Sequence, residues 1–154
     1  MDAKKATMLA AICGAVILIG VLMPWYSISV RVGGLGDQGV GFGGMAQSLN
    51  GTEGGYHGGF VIVLGVIAGL AAAFLWRGAP KALPVSSRGL AVIAVGGFGL
   101  ATLVTLIDVF RDTGNVSGMR FPGVDFSAGR GAGMFITLLA AAAGAGLSFL
   151  ALRG

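Results

Sequence analysis

Four stretches of the chain stay apolar long enough to cross a bilayer, and the polar residues gather between them. The first runs from about Ala6 to Tyr26, opening behind Lys4 and Lys5 and closing on Pro24-Trp25-Tyr26. The others run from about Gly59 to Trp76, Gly89 to Ile107 and Gly131 to Leu152. A helix needs about 20 apolar residues to span the hydrocarbon core, and all four stretches are near that length. The pattern predicts an all-α membrane protein: a four-transmembrane-helix bundle forming one integral membrane domain over residues 1–154. Outer loops would cover about 27–58 and 108–130, and a short inner loop about 77–88. Lys4-Lys5, an apolar core and then Ser27-Ile28-Ser29 also have the layout of a secretory leader. The reading adopted is an uncleaved first helix.

The pattern changes period just past the first stretch. Ser27-Ile28-Ser29-Val30-Arg31-Val32 alternates polar and apolar and is rich in β-branched residues, the signature of a half-buried strand, and Gly33-Gly34 ends it. The glycine-rich remainder of this loop retains Leu35, Val40, Phe42, Met45, Leu49 and Tyr56, which points to a compact cap rather than free coil. A lone strand leaves its backbone groups unpaired, so a partner is expected from Met119-Arg120-Phe121 or Val124-Asp125-Phe126 in the second outer loop. The expectation is a small extracytoplasmic β-containing cap of two or three strands resting on the bundle.

Composition excludes an ordinary soluble domain. The chain is 55% hydrophobic and only 10% charged, against roughly 25% charged in soluble domains. Four crossings consume most of the 154 residues and leave no room for a separate enzyme domain. The charges then orient the chain, because cytoplasmic loops carry the Lys and Arg excess. Lys4, Lys5, Arg77, Lys81, Arg88 and Arg153 fall on one side in very short segments, while Arg31, Arg111, Arg120 and Arg130 spread over the longer loops of the other. Both termini are expected to be cytoplasmic, in a multi-pass protein of the cell (plasma) membrane. The basic residues stand singly, without interleaved aromatics, which argues against a nucleic-acid partner.

Glycine is 30 of the 154 residues and follows no collagen-like period. Small residues at four-residue spacing let transmembrane helices approach closely. Such rows occur as Gly65, Gly69 and Ala73 in the second stretch, Gly97, Ala101 and Thr105 in the third, and Ala140, Gly144 and Ser148 in the fourth. They predict tight helix packing, with partners either within the chain or on neighbouring subunits. Trp25 and Tyr26 at one boundary and Trp76 at the other are read as anchors in the aromatic belts.

Candidate chemistry is sparse. No stretch has an ionisable residue away from its ends, which is where ion and proton pathways would place one. Asp108 stands at the outer end of the third stretch with Arg111 three residues later, a spacing that predicts an interfacial ion pair. His57 is the only histidine and Cys13 the only cysteine, too few for a metal site of three or four ligands and without a motif for a catalytic triad. Tyr56-His57 is read as an outer-cap contact, and Cys13 as a small hydrophobe within the first helix. GLGDQGVG and GVGFGG are read as turns, since neither follows a buried strand and opens a helix as a phosphate-binding loop does. Asn50-Gly51-Thr52 and Asn115-Val116-Ser117 fit the N-glycosylation acceptor pattern, and both fall in outer loops. Thr102, Thr105, Thr137 and Ser148 are the notable polar residues along the stretches, with their own helix backbone as the simplest partner.

A first helix ending in Pro24-Trp25-Tyr26, a β-like segment and a glycine-rich loop entering the second helix through His57-Gly58-Gly59 resembles small four-helix membrane proteins of bacteria that carry a Pro-Trp at this exit. The resemblance covers the whole layout, rests on Pro24-Trp25 as its sharp motif, and implies no activity. The layout is also loosely similar to claudin-type tetraspans, but their Gly-Leu-Trp and paired loop cysteines are absent. The expected function is that of a non-catalytic protein without cofactors, acting through helix-helix and loop contacts in the lipid bilayer. It would serve as a self-associating structural unit, hence a homo-oligomer, or as an accessory subunit beside other membrane subunits. The alternative is an oligomeric channel or transporter for a neutral or apolar solute.

Overall fold

The computed structural model describes residues 2–32, 42–53, 55–78, 85–111 and 124–153. Four helices, α1 (Ala3–Leu22), α2 (Gly58–Arg77), α3 (Ser87–Phe110) and α4 (Ala132–Arg153), are each long and apolar enough to cross a membrane. Three strands, β1 (Pro24–Val32), β2 (Phe42–Asn50) and β3 (Val124–Arg130), form one antiparallel sheet in the order β2-β1-β3. The chain is therefore a helical bundle with a small sheet, as the hydrophobic pattern implies. Met119-Arg120-Phe121 and Asn115 lie outside the described residues.

The first helix is shorter than its apolar run. It stops at Leu22, and Pro24-Trp25-Tyr26 belong to β1 rather than to the end of a span. Proline disfavours helical backbone in the residue before it, and Met23 sits at φ −74, ψ 161, an extended conformation. The third helix starts earlier than its apolar run. Ser86 caps it, its Oγ accepting from the Gly89 amide at 3.1 Å and satisfying one of the free N–H groups of the first turn.

The connections place the sheet at one end of the bundle. β1 leaves the C-terminus of α1, β2 leads into the N-terminus of α2 and β3 into that of α4, and contacts between His57 and Asp108 bring the C-terminus of α3 to the same end. The N-termini of α1 and α3 and the C-termini of α2 and α4 are consequently at the opposite end. Helices α1 and α3 each pack against both α2 and α4, so the four close into a ring around a core that includes Ile17, Val61, Ala68, Phe98, Met134 and Ala141.

Each seam of that ring contains a glycine that a larger residue could not replace without displacement. A Cβ on Gly14 would stand 2.8 Å from Gly69 Cα across the α1–α2 seam, and one on Gly65 would be 2.8 Å from Ile17 Cγ2. Gly20 meets the Thr137 side chain and the Gly133 carbonyl across α1–α4; Gly97 meets Ala68 Cβ across α2–α3; Gly144 lies flat against the Phe98 ring across α3–α4. The rows at Gly65/Gly69, Gly97/Ala101 and Ala140/Gly144 thus turn inward, and these contacts are made within one chain. α1 carries a four-residue row as well, Ala6, Ala10 and Gly14, all buried, whereas Gly20 on its α4 side stands outside that row.

Away from the seams the helices present Ile12, Ile19, Phe60, Ile67, Leu103 and Leu139, among other large apolar residues. In water such a perimeter would be an extended exposed patch of the kind that marks a membrane or protein contact.

Candidate functional site

The polar chemistry of the described residues concentrates where the sheet meets the bundle, and its centre is the turn from β2 into α2. Asn50 Oδ1 accepts from both the amide (2.9 Å) and the hydroxyl (2.6 Å) of Thr52, and Glu53 Oε2 accepts from the Asn50 amide at 3.1 Å. These bonds close a tight turn of the kind Asn side chains favour. Gly51 donates its amide to the Val21 carbonyl at 2.9 Å and accepts from the Gly58 amide at 2.8 Å, stitching the last turn of α1 to the first turn of α2. A Cβ on Gly58 would overlap the Gly51 carbonyl, so the sequence requires glycine there for the approach to exist.

Trp25 fills the space this turn encloses. The sequence suggested a belt anchor at the membrane boundary, but the ring is fully buried, at 0% exposure. The reason is a register irregularity: Pro24 pairs with Asn50 and Tyr26 with Leu49, leaving Trp25 as the extra residue of a bulge. A bulge re-aims the side chain at its site. Here the indole Nε1 donates to the Gly20 carbonyl at 2.9 Å, one of the α1 carbonyls that the helix end would otherwise leave open. Tyr56 meets the indole edge-on, with centroids 5.7 Å apart and planes at 62°, and Gly51 lies against its face. Gly131 donates to the Trp25 carbonyl at 2.7 Å, tying the entry of α4 to the same residue. Tyr26 is also buried, whereas Trp76 is half-buried at the far end with the Arg77 guanidinium 5.1 Å from its ring centroid.

Asp108 has a different partner from the one its spacing suggested. Its carboxylate is fully buried and accepts twice from His57: from the backbone amide at Oδ2 (3.0 Å) and from the ring Nδ1 at Oδ1 (2.8 Å). Arg111 instead donates Nη1 to the Gly55 carbonyl at 2.6 Å, with Gly55 in the left-handed region at φ 79. The electrostatics explain the swap. The C-terminal turn of α3 is an unfavourable place for an anion, but Asp108 lies across from the N-terminus of α2, whose exposed N–H groups and positive dipole end favour one. His57 is the N-cap of α2 and its side chain makes no cap bond of its own, so a carboxylate from another helix provides the capping. Burial, helped by the nearby Tyr26 and Asp108, raises the Tyr56 phenol above the ordinary tyrosine range.

Among the described residues, no group of three metal-ligating side chains comes together. Glu53 is occupied in the turn, and Asn50, half-buried at the end of β2, spends its side-chain oxygen on Thr52. Thr102, Thr105 and Thr137 bond to helix carbonyls four residues back, whereas Ser148 Oγ is buried without a hydrogen-bond partner. Cys13 is half-buried against the core. His57 and Asp108 each stand out in the sequence, but their juxtaposition spans 51 residues and has no local signal. Gly51, Gly58 and Gly131 belong to no small-residue row, and only the close approaches around them reveal why they are glycine.

Comparison of the chain with models of protein families, with curated proteins and with solved structures found no match.

Proposed function

We propose that the chain is a non-catalytic, multi-pass protein of the cell membrane, with both termini cytoplasmic, that acts through protein contacts as an accessory subunit or self-associating unit. The observation carrying this reading is the distribution of surfaces. The helices are apolar around their perimeter, while the described charged residues lie near the ends of the bundle. The six basic residues of the terminal segments and the α2–α3 connection supply the orientation, since that end carries the cytoplasmic signature.

The packing shifts weight within the reading. Because the small-residue rows close seams inside the chain, they no longer argue for self-association, and the sheet becomes the better contact element. β2 and β3 are the edges of the described sheet, and an edge strand offers its backbone to an incoming strand. Native mass spectrometry after gentle extraction tests this directly. Copies or foreign subunits that persist with the chain support it; a strictly monomeric protein with nothing co-purifying overturns it.

A further inference from the structure

Below the His57–Asp108 contact, on the outward side of α3, lies a groove of about 620 Å³ lined by His57, Leu106, Ile107, Phe110 and Arg111. That volume lies within the roughly 300–1,000 Å³ range of small-molecule clefts. Its composition is divided: cationic or titratable groups at the sheet end, and an apolar wall running back along the helix. We propose that the groove holds one anionic phospholipid of the leaflet on the sheet side, its phosphate against Arg111 and its acyl chain along Leu106, Ile107 and Phe110. The inference rests on the membrane reading above.

Charge complementarity selects the occupant. Among the described residues, Asp108 is the acid nearest the groove, and both its oxygens are engaged by His57, while Glu53 is held in the turn by the Asn50 amide. Arg111 is the permanent cation that the described lining places at the mouth, and guanidinium matches phosphate geometry better than an ammonium does. The arginine is also held in place. An arginine at a helix end ordinarily snorkels among many conformations, but the 2.6 Å bond from Nη1 to the Gly55 carbonyl fixes this one at the groove rim. Preorganisation of this kind reduces the ordering cost of binding. The apolar wall suits a chain and not a free anion: Phe110 is 76% exposed and Ile107 62%, and with Leu103 at 57% they continue the wall by another turn toward the bundle centre.

The test is native mass spectrometry of the full chain in detergent, titrated with phosphatidylglycerol or phosphatidylcholine. Wild type should retain phosphatidylglycerol in preference. Arg111→Gln should weaken that retention about tenfold, which corresponds to about 1.4 kcal/mol. Arg111→Lys should lie between, and Phe110→Ala, at a position too exposed to disturb the fold, should weaken both lipids. Arg88→Gln, at the opposite end, should behave as wild type. Equal retention of the two lipids, an unaffected Arg111→Gln protein, or displacement of the lipid by glycerol phosphate alone would each overturn the assignment. Membrane fractions washed with alkaline carbonate separate the two levels. Wild type released by carbonate overturns the membrane reading and the lipid site with it, whereas carbonate-resistant protein without lipid preference overturns the site alone.

Discussion

Replacing Trp25 tests the junction where the end of α1, the β2–α2 turn and the entry of α4 converge. The indole is fully buried, donates to the Gly20 carbonyl and packs edge-on against Tyr56. Trp25→Phe keeps most of the apolar volume but removes the donor, leaving a carbonyl in the last turn of α1 without this partner. The expected cost is about 1–3 kcal/mol. Trp25→Ala adds a cavity beneath Gly51 and loses the aromatic pair, and should cost about 3–5 kcal/mol. Unfolding by increasing SDS fraction in mixed micelles, followed by circular dichroism, measures both. Location is read separately, because the chain has just two tryptophans. In a Trp76→Phe background, Trp25 should emit at short wavelength and resist quenching by brominated lipid, whereas Trp76 in a Trp25→Phe background should be quenched. If Trp25 is quenched as readily as Trp76 and Trp25→Phe is as stable as wild type, the ring is a lipid-facing anchor and the reasoning fails.

Three further outcomes follow from the same contacts. Gly14→Ala should destabilise by about 1–3 kcal/mol, since its Cβ meets backbone of Gly69 that cannot rotate away, whereas Gly146→Ala, with nothing within 4 Å, should be neutral or gain up to about 1 kcal/mol; similar SDS midpoints for the two would contradict the seam. A double-mutant cycle over His57→Ala and Asp108→Ala should show coupling of about 1.5–3 kcal/mol, the range for a hydrogen bond to a charged group, and additive costs would mean the pair is incidental. The Tyr56 phenol, raised mainly by burial, should ionise above the ordinary value of about 10, as read by phenolate absorbance in a Tyr26→Phe background. Because the folded state holds this proton more tightly than the unfolded one, its stabilising effect is complete below the ordinary value. It is lost as pH rises through the raised one, so Tyr56→Phe should blunt alkaline unfolding.

Much of the architecture was legible from local pattern. Four apolar runs became four helices, Val124-Asp125-Phe126 began a strand paired with the Ser27–Val32 alternation, and the threonines bonded within their helices. β2 was not legible. Phe42-Gly-Gly-Met-Ala-Gln-Ser-Leu-Asn50 has neither clean alternation nor β-branched residues, and its extended form depends on pairing with β1. The candidate site was legible only as separate residues, because a ring or carboxylate carries no mark of a partner some fifty positions away.

The sequence by itself determined the number and approximate placement of the helices, the side on which basic residues gather and the presence of a strand after the first helix. Each of these depends on hydrophobic length, charge placement or period, which act over a few consecutive residues. The tertiary structure decided which glycines touch, that Trp25 turns inward through a bulge, and that Asp108 caps α2 rather than pairing with Arg111. Those outcomes depend on where helix axes cross and which helix ends face each other. Seams within one chain and seams between chains require the same small residues, and only the packed bundle distinguishes them.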